Sequence, residues 1–313
     1  MNNLLKSKWG RLAVVIALFC VAVSGLYTDI IKPRFEKADV DTSLSEKDGQ
    51  SITEDKMYVH FIDVGQGDST LIKTPGDKFI LVDAGTNSSE HELLSYLDNQ
   101  NVEYIECLIL THAHEDHMGS ADAVLESFYV NSVMKSEEYD ECINCQNLNY
   151  ALQESVKHID TKVYIPDMGD VYNIDGVEIK ILSDGKGYKD VNDTSLCFTV
   201  EYGKSTFLFT GDAQKGVEDD MMITYGDLSA EVYKAAHHGS STSNSEDFID
   251  RVNPDVAVIS CGEDNMYGHP HAEVVKTFVD KDAEIYRTDT DGSIVFSCTK
   301  EKISLEYLTE KVA

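Results

Sequence analysis

An α/β sandwich is the fold class that this chain of 313 residues predicts, and three observations lead there. Short apolar runs of strand length recur from residue 57 onward, with turn pieces such as Pro75-Gly76-Asp77 between them. Amphipathic stretches of helical period separate some of these runs, and the strand-rich segments gather into two halves. Hydrophobic residues make up 42% of the chain, enough for one large core, so one domain plus an N-terminal extension is the economical count.

The N-terminus carries Lys6, Lys8 and Arg11 ahead of the apolar segment 12–23. That is a positive start with a hydrophobic stretch of signal-peptide length after it, short for a membrane span. Residues 1–28 are therefore expected to be a signal peptide, with Ala22-Val23-Ser24 as small residues for cleavage, or an anchor extended through Ile30 and Ile31. Phe19 before Cys20 suits lipoprotein processing badly. Either way the segment engages the membrane or the export machinery, and the remainder of the chain is expected to be secreted or anchored on the outer face of the cytoplasmic membrane. Residues 29–56 are polar, acidic and without apolar period, which predicts a linker.

Within 57–313, strands are expected at 58–63, 69–73, 79–82 and 104–110, then at 162–165, 177–182, 196–202, 206–210, 256–260 and 294–298. Helices are expected at 90–100, where Leu93, Leu94 and Leu97 form an apolar stripe, and at 121–128, 148–158, 216–225, 245–252 and 272–279.

The chemistry concentrates in Thr111-His112-Ala113-His114-Glu115-Asp116-His117, directly after the apolar run 105–110. A buried strand that ends in imidazoles and carboxylates holds them on rigid backbone, as a metal site with an open coordination position requires. In extended chain, residues i and i+2 share a face, so His112 and His114 can grip one ion. Asp116 and His117 fall at the next turn, able to face a second ion. Scattered surface histidines are the alternative, but ten histidines in 313 residues rarely fall this way.

This His-x-His-x-Asp-His spacing resembles the signature of the metallo-β-lactamase superfamily, and other segments agree in order and position. Residues 61–68 (Phe-Ile-Asp-Val-Gly-Gln-Gly-Asp) and 81–85 (Leu-Val-Asp-Ala-Gly) resemble its opening strands and turns. Residues 207–212, ending in Gly211-Asp212, are similar to the strand that delivers a bridging carboxylate, and Ala236-His237-His238-Gly239-Ser240 to the late histidine motif. Residues 192–196, Tyr267-Gly268-His269-Pro270-His271 and residues 286–289 resemble one branch, the hydrolase domain at the end of the ComEC/Rec2 competence proteins. The resemblance covers about residues 57–308. It implies an αββα sandwich with the metals at one edge between the sheets, and two divalent ions, zinc or manganese, with iron also open.

Carried over residue by residue, His112 and His114 would serve the first ion, Asp116, His117 and His238 the second, and Asp212 would bridge. Many members supply the first ion with a further histidine before the bridging carboxylate. Here His158 alone stands between His117 and Asp212, in the context of an exposed helix end. Asp193 or Asn192 is the candidate replacement, directly, through water, or not at all, and the first site would then suit a harder ion such as Mn²⁺. Asp116 and Asp212 are also the catalytic candidates. His237 and His269 are candidates to bind a substrate phosphate or protonate a leaving oxygen, against a supporting role for His237 beside His238 and a loop-capping role for His269 before Pro270. The resemblance implies that Asp83 braces the metal loop. Asp63 and Asp68 flank glycines, where turn-making is the expected role and a part in substrate binding the lesser alternative. Residues 240–243 precede an expected helix at Ser245, and capping explains them as well as anion binding does. His60, His91, His158 and His271 are expected to be structural or solvated.

Acidic residues outnumber basic ones 56 to 26, for a formal charge of −30. That weighs against a tight non-specific DNA binder but not against a nuclease whose cleft is made locally positive by two ions. With at most one hydrophobic segment, transport of DNA by this chain alone is excluded. Cys107, Cys197, Cys261 and Cys298 sit in apolar runs as small buried hydrophobes, and Cys142-x-x-Cys145 is either a strained local disulfide or two thiols. No protein partner is inferable. The expected function is an exported phosphodiesterase or nuclease acting on DNA or a small phosphodiester. The alternatives are hydrolysis of another ester, a lactam or a cell-surface phosphoester such as a phosphocholine ester, or a non-catalytic binding domain.

Overall fold

A computed structural model of the chain describes residues 55–137 and 143–308. Residues 1–28, nearly all of 29–56 and Cys142 lie outside them, so the expected signal or anchor, most of the expected linker and any Cys142–Cys145 pairing do too.

Four layers stack as helices, sheet, sheet, helices. The first sheet holds eight strands in the order β17-β16-β1-β2-β3-β5-β7-β8, where β1 is Met57–Phe61, β2 Thr70–Lys73, β3 Phe79–Val82, β5 Cys107–Leu110, β7 Ser132–Lys135, β8 Lys162–Tyr164, β16 Ile294–Cys298 and β17 Ile303–Leu308. The second holds seven in the order β15-β14-β13-β12-β11-β10-β9: β9 Val171–Ile174, β10 Val177–Ser183, β11 Cys197–Tyr202, β12 Ser205–Phe209, β13 Val232–Lys234, β14 Val256–Ile259 and β15 Glu284–Arg287.

Alternation within the strands explains the stacking. In β1, Met57, Val59 and Phe61 join Ile72, Phe198, Phe207 and Phe296 in the core between the sheets. The opposite face of the first sheet, with Leu81, Leu108 and Val133, packs against the apolar sides of α1 (Glu90–Asn99), α3 (Ala121–Ser127) and α4 (Ile143–Ile159). The outer face of the second sheet, with Leu208 and Tyr233, packs on α5 (Lys215–Thr224), α6 (Glu246–Val252) and α7 (Ala272–Asp280). The expected αββα sandwich is therefore the observed one.

Local departures have physical reasons. The expected strand 104–110 divides at Glu106: Tyr104–Ile105 (β4) pairs with Tyr129–Val130 (β6), while Cys107–Leu110 enters the first sheet. The fourth helix begins at Ile143 rather than 148, extending an amphipathic stretch into polar sequence. Strands β7, β9, β13, β15 and β17 are additions to the expected set; β13 is only Val232-Tyr233-Lys234, too short for a period to show.

Within each sheet, β3, β5, β7 and β8 run parallel, as do β12, β13, β14 and β15. Ligands bind beyond the carboxyl ends of such strands. The loops after β5, β12, β13 and β14 all open there.

Candidate metal centre

His112 stands one residue past Thr111 at the end of β5 and is fully buried, and its Nε2 lies 3.1 Å from His114 Nδ1. The i, i+2 pair converges as its spacing predicts. The four-residue helix α2 (Glu115–Met118) then turns Asp116 and His117 inward. Gly67 permits this turn: a Cβ there would stand 2.6 Å from the Asp116 carbonyl oxygen, which instead accepts the Asp68 amide at 2.9 Å.

Asp212 arrives just past β12, after Gly211, whose φ of +51° favours glycine. Its amide donates to Ser195 Oγ at 3.0 Å, and Ser195 Oγ in turn donates to the Asn192 carbonyl. His238 sits in a short turn after β13, where His237 (φ +50°), His238 (φ +54°) and Gly239 (φ +81°) are all left-handed. Asn244 clamps that turn: its Oδ1 accepts the Ala236 amide, and its Nδ2 donates to the carbonyls of Ala236 and Ser240.

Two groups of ligand atoms converge among the described residues, His112 with His117 and Asp212, and Asp68 with His117 and His238. Asp116 Oδ2 lies 3.1 Å from His238 Nε2, while the carboxylate that converges with His117 and His238 is that of Asp68. His117 Nε2 and Asp212 Oδ1 are 3.0 Å apart and fully enclosed, yet neither makes a hydrogen bond of acceptable geometry. Buried donor and acceptor atoms of this kind carry a cost that a cation would remove.

The electrostatics agree. Burial alone would depress His238, but Asp212 and Asp68 push it up to about 10. Burial likewise opposes ionisation of Asp116, but the hydrogen bond and charge of His238 and the charge of His117 bring it down to about 2. Ionised carboxylates gathered around imidazoles demand positive charge, and the donor set fits divalent cations.

The surrounding shell is equally specific. Asp83 accepts from the Thr111 amide and hydroxyl, both at 2.8 Å, and meets His117 Nδ1 at 2.8 Å, which fixes the ring so that Nε2 faces Asp212. This is the bracing role expected of Asp83. For Asp68 the expectation is a turn-making role alone, and here the structure differs. Its carboxylate is buried, paired with Lys234 Nζ at 2.8 Å, and 3.4 Å from His238 Nδ1, which also faces the Ser260 carbonyl at 3.0 Å. The available signal is Lys234 itself, a lysine inside the apolar run leading to His237-His238. Asp63 does make a turn, accepting the Gly65 amide.

Asp193 belongs to neither converging group; its Oδ1 accepts the Gln214 amide at 2.9 Å. Asn192 Oδ1 is buried without a hydrogen-bond partner. His158 lies at the exposed end of α4 beside Glu154, away from the site. His237 Nδ1 contacts Thr242 Oγ1, and its Nε2 is 3.6 Å from Asp212 Oδ2. His237 and His269 line a cleft of about 690 Å³ with His114, Asp116, Asp212 and His238. His60 is a buried partner of Tyr96, His91 is exposed, and His271 Nδ1 accepts the Ser241 amide. Ser245 caps α6 by accepting the Phe248 amide. Cys107, Cys197, Cys261 and Cys298 are all buried.

Comparison with known proteins decides the family. The sequence profile of the Metallo-beta-lactamase superfamily matches residues 62–263. The chain belongs to this superfamily. It is 31% identical over 261 residues to ComE operon protein 3 of Bacillus subtilis, covering 76% of this chain and 32% of that protein. It is 30% identical over 268 residues to Recombination protein 2 of Haemophilus influenzae, covering 84% and 31%. The chain thus spans about a third of the length of these curated relatives, and it is ComEC/Rec2-like within the superfamily. The metallo-beta-lactamase fold protein YhfI from Bacillus subtilis shares the fold, with a TM-score of 0.54 at 14% identity, covering 78% of this chain and 100% of that one. Family, fold and ligand set together make this superfamily member a metal-dependent hydrolase.

Proposed function

We propose that the chain is a binuclear-metal phosphodiesterase acting on nucleic acid, with single-stranded or linear DNA the first substrate to test. The observation that carries this reading is the pair of converging ligand groups joined through His117, with Asp212 at one end and His238 at the other, at the floor of an open cleft. Two close ions are suited to a phosphodiester, whose attacking and leaving oxygens both need stabilisation. The relation to competence proteins supports the same substrate class.

In this reading His112, His114 and Asp212 hold the first ion, and Asp116, His117, His238 and Asp212 the second. Ions held there would supply a hydrolytic nucleophile at neutral pH and offset developing negative charge. Ser195 Oγ accepts the Asp212 amide and so fixes the backbone from which this carboxylate projects. Asp83 and Asp68 hold His117 and His238 in orientation. His237, anchored at Nδ1 by Thr242, and His269 are placed to hydrogen-bond phosphoryl oxygens from the cleft wall. With no third histidine on the first ion, manganese serves at least as well as zinc.

Metal analysis with a substrate panel tests this: a chromogenic phosphodiester, single- and double-stranded DNA, a phosphocholine ester and a lactam. Turnover of the lactam or a carboxylic ester alone would move the chain to another hydrolytic class. Retention of no stoichiometric metal would favour a binding domain. We further propose that Lys6, Lys8 and Arg11 direct the catalytic domain outside the cytoplasmic membrane. Protease added to intact cells should then digest it, and full protection contradicts this topology.

A further inference from the structure

The described residues lining the cleft include no lysine or arginine, yet include an exposed ring. Tyr267 is 60% exposed and its neighbour Met266 90%. Single exposed hydrophobes are ordinary; rigidity and polar company set this one apart. The Tyr267 ring stacks on His269 with centroids 5.6 Å apart and planes 21° from parallel. Asn265 braces the segment, donating to the carbonyls of Gly262 (2.9 Å) and His269 (2.7 Å) while accepting the His269 amide (2.9 Å). The Gly262 amide in turn donates to Gln66 Oε1 at 3.0 Å. That bond fixes the Gln66 amide and leaves its Nε2 buried without a hydrogen-bond partner, as is His269 Nδ1. A buried polar atom left unpaired is destabilising, and a polar atom of a bound ligand removes that cost.

We propose that the Tyr267–His269 wall is a base-stacking subsite that holds a nucleobase of single-stranded nucleic acid beside the scissile phosphodiester. The proposal deepens the phosphodiesterase reading and rests on it. Charge favours a binder that reads bases over one that reads the backbone. At a formal charge of −30, phosphates are repelled over most of the surface, and lysine and arginine contacts are missing from the described cleft. Stacking on an aromatic ring is insensitive to that charge and supplies roughly 1–3 kcal/mol per base. A duplex hides its base faces, so such a wall selects single strands or frayed ends.

The test uses fluorescence anisotropy with the metal-loaded full chain at physiological salt and oligomers carrying non-hydrolysable methylphosphonate linkages, so that binding is scored without cleavage. The probes are a short thymidine oligomer and an abasic oligomer of equal length. The native chain is expected to bind the base-bearing oligomer about tenfold more tightly, within the range that one stacked base supplies. Tyr267→Ala should bring the two oligomers to about equal affinity, whereas Tyr267→Trp should keep the preference. Equal affinity of the native chain for both oligomers, binding to neither, or a folded Tyr267→Ala variant that keeps the preference overturns the subsite. Hydrolysis is scored separately. A base preference without cleavage of any phosphodiester leaves the subsite standing and removes the phosphodiesterase reading; cleavage without a base preference does the reverse.

Discussion

Lys234 Nζ and Asp68 Oδ2 form a 2.8 Å ion pair inside the protein, with side chains only 4% and 8% exposed. Burial would raise the Asp68 carboxyl, but Lys234, then His238 and His117, hold it well below the usual carboxylate range. The second Asp68 oxygen faces His238. The pair therefore neutralises a buried charge and steadies a candidate metal ligand. Lys234→Met is expected to strand Asp68 and destabilise the fold by about 3–5 kcal/mol. Pairing it with Asp68→Asn should restore much of that stability while leaving metal affinity lowered by roughly 10–100-fold. Denaturation and metal titration of the single and double variants read the two effects apart.

Asp116→Ala and Asp212→Ala are each expected to lower hydrolysis by about 10³-fold or more while the domain stays folded. The Asp212 change should also reduce metal stoichiometry, since this carboxylate belongs to the group that His112 and His117 form. Initial rates and elemental analysis check this, and native-like rates in either variant would refute the ligand assignment.

Metal removal should weaken the fold itself. His112 and His117 hang from the first sheet, while Asp212 and His238 hang from the second, so bound ions would tie the two sheets together. A ligand at a hundred times its dissociation constant adds about 2.7 kcal/mol. Chelation is expected to lower the melting temperature, and re-addition of Mn²⁺ or Zn²⁺ to restore it; a transition indifferent to chelator argues against native metal.

His60 predicts an acid-side loss of stability. Burial, aided by Lys73, brings its imidazole down from 6.5 to about 4. Between those values the unfolded chain binds the proton and the folded chain does not. Stability should therefore be full above pH 6.5 and fall as pH drops toward about 4, by roughly 3 kcal/mol in total at 1.36 kcal/mol per unit. Urea denaturation across this range, compared with His60→Gln, isolates the contribution: the variant should lose less stability on acidification.

Much of this is legible in the sequence, for identifiable reasons. His112, His114, Asp116 and His117 stand in one short segment, where spacing alone fixes their convergence. Strands β1 and β3 show because their runs are apolar and bounded by turns. The second sheet's centre is hidden because β13 is three residues long and carries a buried lysine. The Asp68–Lys234 pair is hidden because its members lie 166 positions apart (234 − 68), and only the fold reveals that each is the other's partner. Asp193 resembles a ligand from its place in the motif order, and only the fold reveals that its Oδ1 accepts the Gln214 amide.

The left-handed turn at His237 and His238 has a consequence for how such a protein could change. Each non-glycine residue held there costs about 1–3 kcal/mol, and the Asn244 side chain is what keeps the chain from relaxing. Glycine at either position would relieve the strain. Selection for thermal robustness alone would thus be drawn to the two residues whose imidazoles the chemistry needs. A library screened for heat tolerance should enrich glycine there and lose turnover with it, whereas one screened for both properties should gain its stability elsewhere.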